Sequence, residues 1–216
     1  MTKIFIHGLG QSVSAWDGIK EHIEGKAKYI DLIECDVESE DVYQALYNLI
    51  CKECNDEAGK VDLCGLSLGG LLAMQYATEF PNKVRSLVLI NSPYKVSNIL
   101  LRLQQNIFRF MPSVLFKQGF SKTDSLKILD AIKKNNSIIV ERIEASTLII
   151  YGERDHANKK SAFELSKDIF NAKLVKIEKA NHQINIEQPL KLAYAINLFW
   201  EEVGRLNGEI EHENDV

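Results

Sequence analysis

The stretch Val61-Asp62-Leu63-Cys64-Gly65-Leu66-Ser67-Leu68-Gly69-Gly70 decides the fold predicted for this chain. Its apolar first half is typical of a buried strand, and the run Leu71 to Met74 that follows is typical of a helix. The G-x-S-x-G between them is the pattern of a nucleophile elbow, a sharp turn that lifts a serine hydroxyl clear of a parallel sheet. Neighbouring backbone can approach such a turn only if the residues two positions either side of the serine are very small, which explains Gly65 and Gly69. The sequence therefore predicts a strained, exposed Ser67.

Two other interpretations of this stretch are weaker. A phosphate-binding loop of the form G-x-x-x-x-G-K-[ST] requires a lysine that is missing here. A serine in an ordinary strand-to-helix turn is the simpler alternative, but the strand before and the helix after Ser67 both favour the elbow. The first turn of that helix also supplies free N–H groups and a positive dipole end, which favour a developing anion.

Length and composition indicate one soluble globular domain. The chain has 216 residues, of which 45% are hydrophobic and 26% charged. Its net charge of -4 argues against a nucleic-acid surface, for which a basic patch is expected. No window reaches the roughly 18 apolar residues of a membrane span, so no stable membrane insertion is expected. The first six residues are too short for the apolar region of a signal peptide, which favours a cytoplasmic location.

The cysteines and histidines do not predict a metal site. In the cytoplasm, Cys35, Cys51, Cys54 and Cys64 are expected to be thiols. The pair Cys51 and Cys54 has C-x-x-C spacing, but no second pair of zinc ligands follows at similar spacing. The pair also falls late in a helical pattern, whereas a redox pair gains its low pKa at a helix start. The five histidines are scattered and form no metal-binding motif.

Strands and helices alternate along most of the chain, which predicts a mainly parallel sheet of about six strands flanked by helices. The predicted strands are Lys3 to Ile6, Tyr29 to Ile33, Lys60 to Cys64, Val84 to Ile90, Thr147 to Tyr151 and Leu174 to Ile177. The predicted helices are Trp16 to Ile23, Asp41 to Cys54, Leu68 to Glu79, Asn158 to Phe170 and Pro189 to Arg205. Ligands of such sheets bind beyond the carboxyl ends of the strands.

One segment, residues 94–145, interrupts the alternation and is predicted to be a small helical cap or lid over a core made of residues 1–93 and 146–216. Large apolar residues are frequent in it, namely Ile99, Leu100, Leu103, Ile107, Phe108, Phe110, Met111, Val114, Leu115 and Phe116. A helix lying on a membrane surface is the alternative, because Arg102 and Arg109 accompany them. The acidic tail, residues 208–216, is predicted to be disordered.

A serine hydroxyl is a poor nucleophile unless a base takes its proton and a third group holds that base. His182 qualifies as the base because it lies in the loop after the strand that ends at Ile177. Asp155 qualifies as the acid because it follows the apolar strand ending at Tyr151, with Glu153 as a local competitor. The remaining histidines are less suitable by position: His7, His22, His156 and His212.

An acyl-transfer site also needs donors directed at the oxyanion that forms. The elbow supplies one, the backbone N–H of Leu68. The second is expected from the loop after the first strand, which reads His7-Gly8-Leu9-Gly10.

Together these motifs resemble the α/β-hydrolase fold superfamily, and most closely its compact single-domain serine hydrolases of esterase and lipase type. The order Ser67, Asp155, His182, with H-G-x-G upstream, carries the resemblance, which covers Lys3 to Ser92 and Thr147 to about Trp200. It implies an α/β-hydrolase fold, a Ser-His-Asp triad of these three residues and no metal or organic cofactor. It also implies that the N–H groups of Leu9 and Leu68 form the oxyanion hole. The substrate-binding residues and the oligomeric state are not predicted.

The function expected from this resemblance is hydrolysis of a carboxylic ester or thioester through an acyl-enzyme, which indicates a carboxylesterase acting on a small molecule. The apolar residues of the predicted cap favour an apolar acyl group. The superfamily also includes lyases of menaquinone-pathway type, C–C bond hydrolases and perhydrolases with the same triad. A non-catalytic binding protein on the same scaffold is a further alternative, for which a broken triad would be expected.

Overall fold

Six parallel strands form one sheet in the computed structural model of this protein, which describes residues 1–95, 119–134 and 138–208. The strands are β1 (Thr2–Ile6), β2 (Ala27–Ile30), β3 (Val61–Leu66), β4 (Val84–Ile90), β5 (Ser146–Gly152) and β6 (Ala172–Ile177). Their order is β2-β1-β3-β4-β5-β6, and each neighbouring pair is parallel. The prediction of a mainly parallel sheet of about six strands is confirmed. All six carboxyl ends lie at one edge, where the loops that leave them meet.

Helices cover both faces of the sheet. Those of the described ranges are α1 (Asp17–Lys20), α2 (Val42–Asn55), α3 (Leu68–Glu79), α4 (Lys122–Lys134), α5 (Lys159–Asp168), α6 (Ile184–Glu187) and α7 (Pro189–Leu206). Side chains alternate along each strand, so Ile4 and Ile6 pack with α2 and α3 on one face, whereas Phe5 packs with Trp16 and α7 on the other. Both layers are therefore apolar, which explains why the four central strands, β1, β3, β4 and β5, are almost entirely buried.

Five of the six strands differ from their predicted bounds by one to three residues, and the largest differences at a carboxyl end are in β2 and β3. β2 ends at Ile30 instead of Ile33, because Asp31 caps a short 3-10 turn by accepting from the Ile33 N–H at 3.2 Å. β3 continues past Cys64 to Leu66, where Leu66 lies in register with Ile90 of β4. The strand therefore runs directly into Ser67.

The predicted cap and tail lie largely outside the described residues. Of residues 94–145, the structure describes 94–95, 119–134 and 138–145, and these include helix α4. Arg102, Arg109 and the ten apolar residues named above fall outside, and so does the tail beyond Gly208. The division into core and cap stays a prediction.

The four cysteines are free, and Cys54 and Cys64 are buried. Burial raises the pKa of the Cys54 thiol to about 12. No helix within residues 1–95, 119–134 and 138–208 is both long and apolar enough to cross a membrane. The cytoplasmic location stays a prediction.

Candidate active site

The elbow places Ser67 between β3 and α3 in a strained backbone conformation, with φ 53° and ψ −112°. A Cβ atom on Gly65 would lie 2.3 Å from the carbonyl oxygen of Gly69, and one on Gly69 would lie 2.2 Å from that of Ile6. No residue other than glycine fits at either position. The Ser67 N–H donates to the carbonyl of Ile90 at 3.0 Å, which ties the turn to the end of β4. A conformation of this kind costs on the order of 1–3 kcal/mol and persists because its surroundings hold it.

The start of α3 leaves donors beside the serine. The first amides to bond back to the Ser67 carbonyl are those of Gly70, at 3.0 Å, and Leu71, at 3.1 Å. The N–H of Leu68 precedes them and therefore has no partner within the helix. The Ser67 side chain is partly exposed, and its hydroxyl makes no hydrogen bond with another described residue. It is thus accessible beside a free backbone donor.

The loop after β1 is held from several sides. The Leu32 N–H donates to Nε2 of the buried His7 at 3.0 Å, so the ring proton is assigned to Nδ1, which donates to the Gly8 carbonyl at 2.9 Å. With that tautomer, the 3.2 Å approach of Asp31 Oδ1 to Nε2 is a contact between two acceptors and not an ion pair. The N–H of Gln11 also donates to the Gly8 carbonyl, at 3.2 Å.

These bonds fix the direction of one further donor. The carbonyl of Gly8 and the N–H of Leu9 belong to the same planar trans peptide and point in opposite directions. Because two donors hold the Gly8 carbonyl, the Leu9 N–H is directed to the other side of the loop. His7 therefore supports the loop from within the fold instead of acting as a base.

The loops after β5 and β6 bring a carboxylate and an imidazole together. The Nδ1 atom of His182 lies 2.7 Å from Oδ2 of Asp155. The side chain of Asp155 is 4% exposed, whereas that of His182 is 42% exposed. A carboxylate accepts hydrogen bonds, so this contact places a proton on Nδ1 and leaves Nε2 as the acceptor nitrogen of the ring. The accessible imidazole of His182 is therefore hydrogen-bonded to the buried carboxylate of Asp155.

Asn158 is a second partner of Asp155 and was not among the residues predicted from the sequence. Its Nδ2 donates to Oδ2 of Asp155 at 2.9 Å and to Oδ1 at 3.1 Å, and its backbone N–H donates to Oδ1 at 3.2 Å. Burial opposes ionisation of Asp155, but the hydrogen bond and charge of His182, together with Asn158, outweigh it. The pKa of the Asp155 carboxyl therefore lies below its usual range. The carboxylate is ionised and fixed in orientation.

Asn91, also missed from the sequence, connects three strand ends. It is buried, follows β4 and has a positive φ of 43°. Its Nδ2 donates to the carbonyls of Asn181 and His182 at 3.0 and 2.8 Å, and its Oδ1 accepts from the Gly152 N–H at 3.0 Å. The backbone of the His182 loop is therefore anchored by a side chain from the strand next to the elbow.

The remaining sequence candidates are placed elsewhere. The carboxylate of Glu153 accepts from the Lys179 N–H at 3.0 Å and pairs with Lys176, so it is engaged away from His182. His22 and His156 are exposed, and His212 lies outside the described residues. Asp155 and His182 are in direct contact, and Ser67 lies at the same sheet edge, joined to them through Ile90 and Asn91.

Comparison with known proteins gives one family match. A family model described as "BAAT / Acyl-CoA thioester hydrolase C terminal" matches residues 44–187, two thirds of the chain. That range contains Ser67, Asp155 and His182 but not the loop after β1. Among related sequences, Lipase 1 of Psychrobacter immobilis is 22% identical in an alignment 229 residues long, and this alignment covers 85% of this chain and 72% of the lipase.

Solved structures share the fold. The enol-lactonase from Burkholderia xenovorans superposes with a TM-score of 0.78 at 16% identity, covering 93% of this chain and 91% of that chain. MenH from S. aureus superposes with a TM-score of 0.74 at 19% identity, covering 94% of each chain. At these identities the likeness shows a common architecture.

Proposed function

We propose a function on the premise that this chain belongs to the BAAT / acyl-CoA thioester hydrolase C-terminal family and has the α/β-hydrolase fold. It is a hydrolase of esterase or lipase type in which Ser67, His182 and Asp155 cleave a carboxylic ester or thioester. The observation that carries this proposal is the partly exposed His182, held at 2.7 Å by a buried carboxylate, at the sheet edge where Ser67 occupies a strained elbow.

The first half of the reaction forms an acyl-enzyme. Nε2 of His182 takes the proton of the Ser67 hydroxyl, and the hydroxyl oxygen attacks the carbonyl carbon of the substrate. The tetrahedral intermediate then collapses, His182 returns the proton to the leaving alcohol or thiol, and the acyl group stays on Ser67. Asp155 stabilises the imidazolium that exists between the two transfers, which its low pKa permits because it remains a carboxylate.

The second half releases the acid. His182 takes a proton from a water molecule, whose oxygen attacks the acyl carbon, and Ser67 leaves after recovering the proton from the imidazolium. Both tetrahedral intermediates carry a negative oxygen, for which the proposed donors are the N–H groups of Leu9 and Leu68. Support for them comes from the fixed Gly8 carbonyl and from the open start of α3. Each such donor contributes typically about 10²–10³ in turnover.

The proposed substrate is a small molecule with an apolar acyl group, in agreement with the apolar residues that the sequence places in the predicted cap, residues 94–145. The family description adds weight to a thioester, whereas the lipase relative adds weight to an oxygen ester. The same triad geometry serves both, because the attacked carbonyl and the oxyanion are alike. The leaving group is therefore the property that an experiment must decide.

Hydrolysis assays test this proposal with two matched series of substrates, p-nitrophenyl esters and acyl-CoA thioesters of short, medium and long acyl chains. We expect the wild-type protein to hydrolyse at least one series, and Ser67→Ala to lose at least about 10⁴-fold in kcat. Ser166→Ala is the control, because that hydroxyl donates to the Phe163 carbonyl on α5, away from the sheet edge. Hydrolysis of neither series, or equal rates for Ser67→Ala and wild type, would contradict the proposal.

A further inference from the structure

Two buried amide side chains from opposite ends of the chain form a closed pair. Nε2 of Gln11 donates to Oδ1 of Asn185 at 3.2 Å, and Nδ2 of Asn185 donates to Oε1 of Gln11 at 3.3 Å. Gln11 and Asn185 are 4% and 1% exposed, respectively. Buried amides that satisfy each other in this way are costly to separate, because either one alone would be left unpaired.

The Gln11 side of the pair holds the loop after β1. Oε1 of Gln11 also accepts from the Gly8 N–H at 3.2 Å, and the Gln11 N–H donates to the Gly8 carbonyl at 3.2 Å. One residue thus binds both polar groups of Gly8. Because the Gly8 carbonyl and the Leu9 N–H share one peptide plane, the Gln11 N–H and the His7 ring fix the direction of the proposed oxyanion donor. The Gln11 side chain holds the preceding peptide in place through the Gly8 N–H.

The Asn185 side of the pair holds the segment that follows the proposed base. Asn185 lies in α6, which begins two residues after His182, and its Nδ2 also donates to the Ala15 carbonyl at 3.0 Å. The end of α6 returns to the same loop, since Oε2 of Glu187 accepts from the N–H of Asn181 at 2.7 Å. Helix α6 therefore connects Asn185 to the His182 loop both along the chain and through a side chain.

We propose that Gln11 and Asn185 are a positioning pair that sets the oxyanion loop at a fixed distance from the His182 loop. This inference rests on the proposed function, since it assigns the pair a role in that reaction. Neither residue touches the reacting atoms. The pair holds the Leu9 N–H and the His182 ring at a fixed separation, so that a donor and a base from separate loops act on the same reacting group.

Leucine substitutions separate positioning from simple stabilisation. Gln11→Leu and Asn185→Leu each leave one buried amide without its partner, so each lowers the midpoint of thermal unfolding. The double variant removes both amides, and its loss of stability is smaller than the sum of the single losses. Its Gly8 N–H still lacks the Gln11 acceptor, however. A positioning role therefore predicts that activity stays low in the double variant even where stability recovers.

The measurement is kcat and KM for p-nitrophenyl butyrate, with kcat expressed per active site titrated by a fluorophosphonate. We expect Gln11→Leu to lower kcat by about 10-fold or more with KM within about 3-fold, because an oxyanion donor acts on the transition state. We expect the double variant to lie within about 3-fold of Gln11→Leu, since the two residues act as one unit. Asn197→Ala is the control, because it removes another side-chain amide bond, from α7 to the His22 carbonyl at 2.6 Å, without contact to Gly8.

Each outcome decides the inference, and the double variant provides the answer if a single variant does not fold. A kcat per site that falls by less than about 10-fold from wild type in Gln11→Leu or in the double variant overturns the pairing role while the proposed function stands. Losses that multiply in the double variant also overturn it, because they show two independent residues. A wild-type protein that neither reacts with the fluorophosphonate nor hydrolyses the ester overturns the proposed function, and this inference with it.

Discussion

Two buried aspartates lie at opposite ends of the same sheet, and their partners differ. Asp155 follows the carboxyl end of β5 and binds His182, whereas Asp62 lies near the amino end of β3 and binds Arg85 of β4. Their side chains are 4% and 0% exposed. The two carboxylates are alike in that both are buried and both have a basic side chain as a partner.

The amino-end carboxylate is enclosed. Arg85 binds it with Nε at 2.8 Å and also with Nη2, and its guanidinium side chain is itself only 9% exposed. The Ser86 hydroxyl donates to Oδ1 of Asp62 at 2.5 Å and accepts from the indole N–H of Trp200 at 3.0 Å. Every group in this network faces another protein group, and an arginine cannot give up its proton. The network can hold the sheet together but cannot exchange a proton with a ligand.

Asp155, at the carboxyl end of the sheet, differs from Asp62 in the chemistry of its partner, His182. His182 is 42% exposed and can gain or lose a proton, so the buried charge of Asp155 acts on a group that reaches solvent. Burial beside a basic side chain is therefore a poor indicator of a catalytic carboxylate. The accessibility and chemistry of the partner are what distinguish the two ends.

The largest expected effect is that of Asp155→Asn on turnover. The neutral amide cannot stabilise the imidazolium, and its NH2 can donate to Nδ1 and favour the wrong tautomer of His182, so kcat should fall by about 10⁴-fold. The midpoint of thermal unfolding should move by no more than about 2–4 °C, because the amide still fits its site. Steady-state kinetics and a thermal melt on one preparation measure both. A kcat within 10-fold of wild type would remove the distinction between the two aspartates.

Asp62→Asn should have the opposite profile. Removing one partner of a buried ion pair costs about 3–5 kcal/mol in the free energy of unfolding, because the guanidinium of Arg85 loses its carboxylate. Denaturant unfolding measures this loss. Turnover per titrated site should stay within about 2-fold of wild type, although Asp62 lies on the strand that leads to Ser67. A tenfold fall in turnover per folded site would show that the amino-end network also serves the reaction.

Asn91→Ala sharpens the comparison at the carboxyl end, since this residue anchors the His182 loop without touching its ring. We expect kcat to fall by about 10–100-fold as the base loses its position. Asn171→Ala is the matched control, because Asn171 also has a positive φ, 57°, but lies at the amino end of β6. Both variants carry backbone strain, so an equal loss of turnover in the two would argue against an anchoring role.

The smallest effect is a pH dependence of stability. The pKa of Asp155 is lowered in the folded protein, so its contribution is present above the usual carboxyl range, about pH 4, and is lost as the pH falls through the lower folded value. The melting temperatures of wild type and Asp155→Asn should therefore differ more at pH 6 than at pH 3, by about 2–4 °C. A difference that grows toward acid pH would show that the pKa is raised.

Features that depend on a local sequence pattern could be predicted. Ser67, Asp155 and His182 each follow an apolar strand, so their place at one sheet edge could be predicted from spacing, and the glycines around Ser67 predicted its strained turn. Their catalytic roles remain proposals. The predicted end of β2 was wrong by three residues. The Ile33 N–H donates to the Asp31 side chain, and this hydrogen bond outweighs the apolar pattern there.

The supporting residues could not be predicted, because their partners are distant in the chain. Asn91 binds the His182 loop 91 residues away, and Gln11 binds Asn185 174 residues away. Neither pair has a periodicity or a motif. The contact of Asn158 was easier to predict, because a residue three positions after an aspartate can donate its backbone N–H to that carboxylate in a turn.

The central claim is that Ser67 is activated by His182, and covalent labelling tests it most directly. Wild-type protein is treated with a fluorophosphonate, and the adduct is located by mass spectrometry. We expect one adduct per chain on Ser67, an unchanged labelling rate in Asp62→Asn and a rate lower by at least about 10³-fold in His182→Ala. The absence of an adduct, an adduct on another residue, or equal rates in His182→Ala and wild type would contradict the claim.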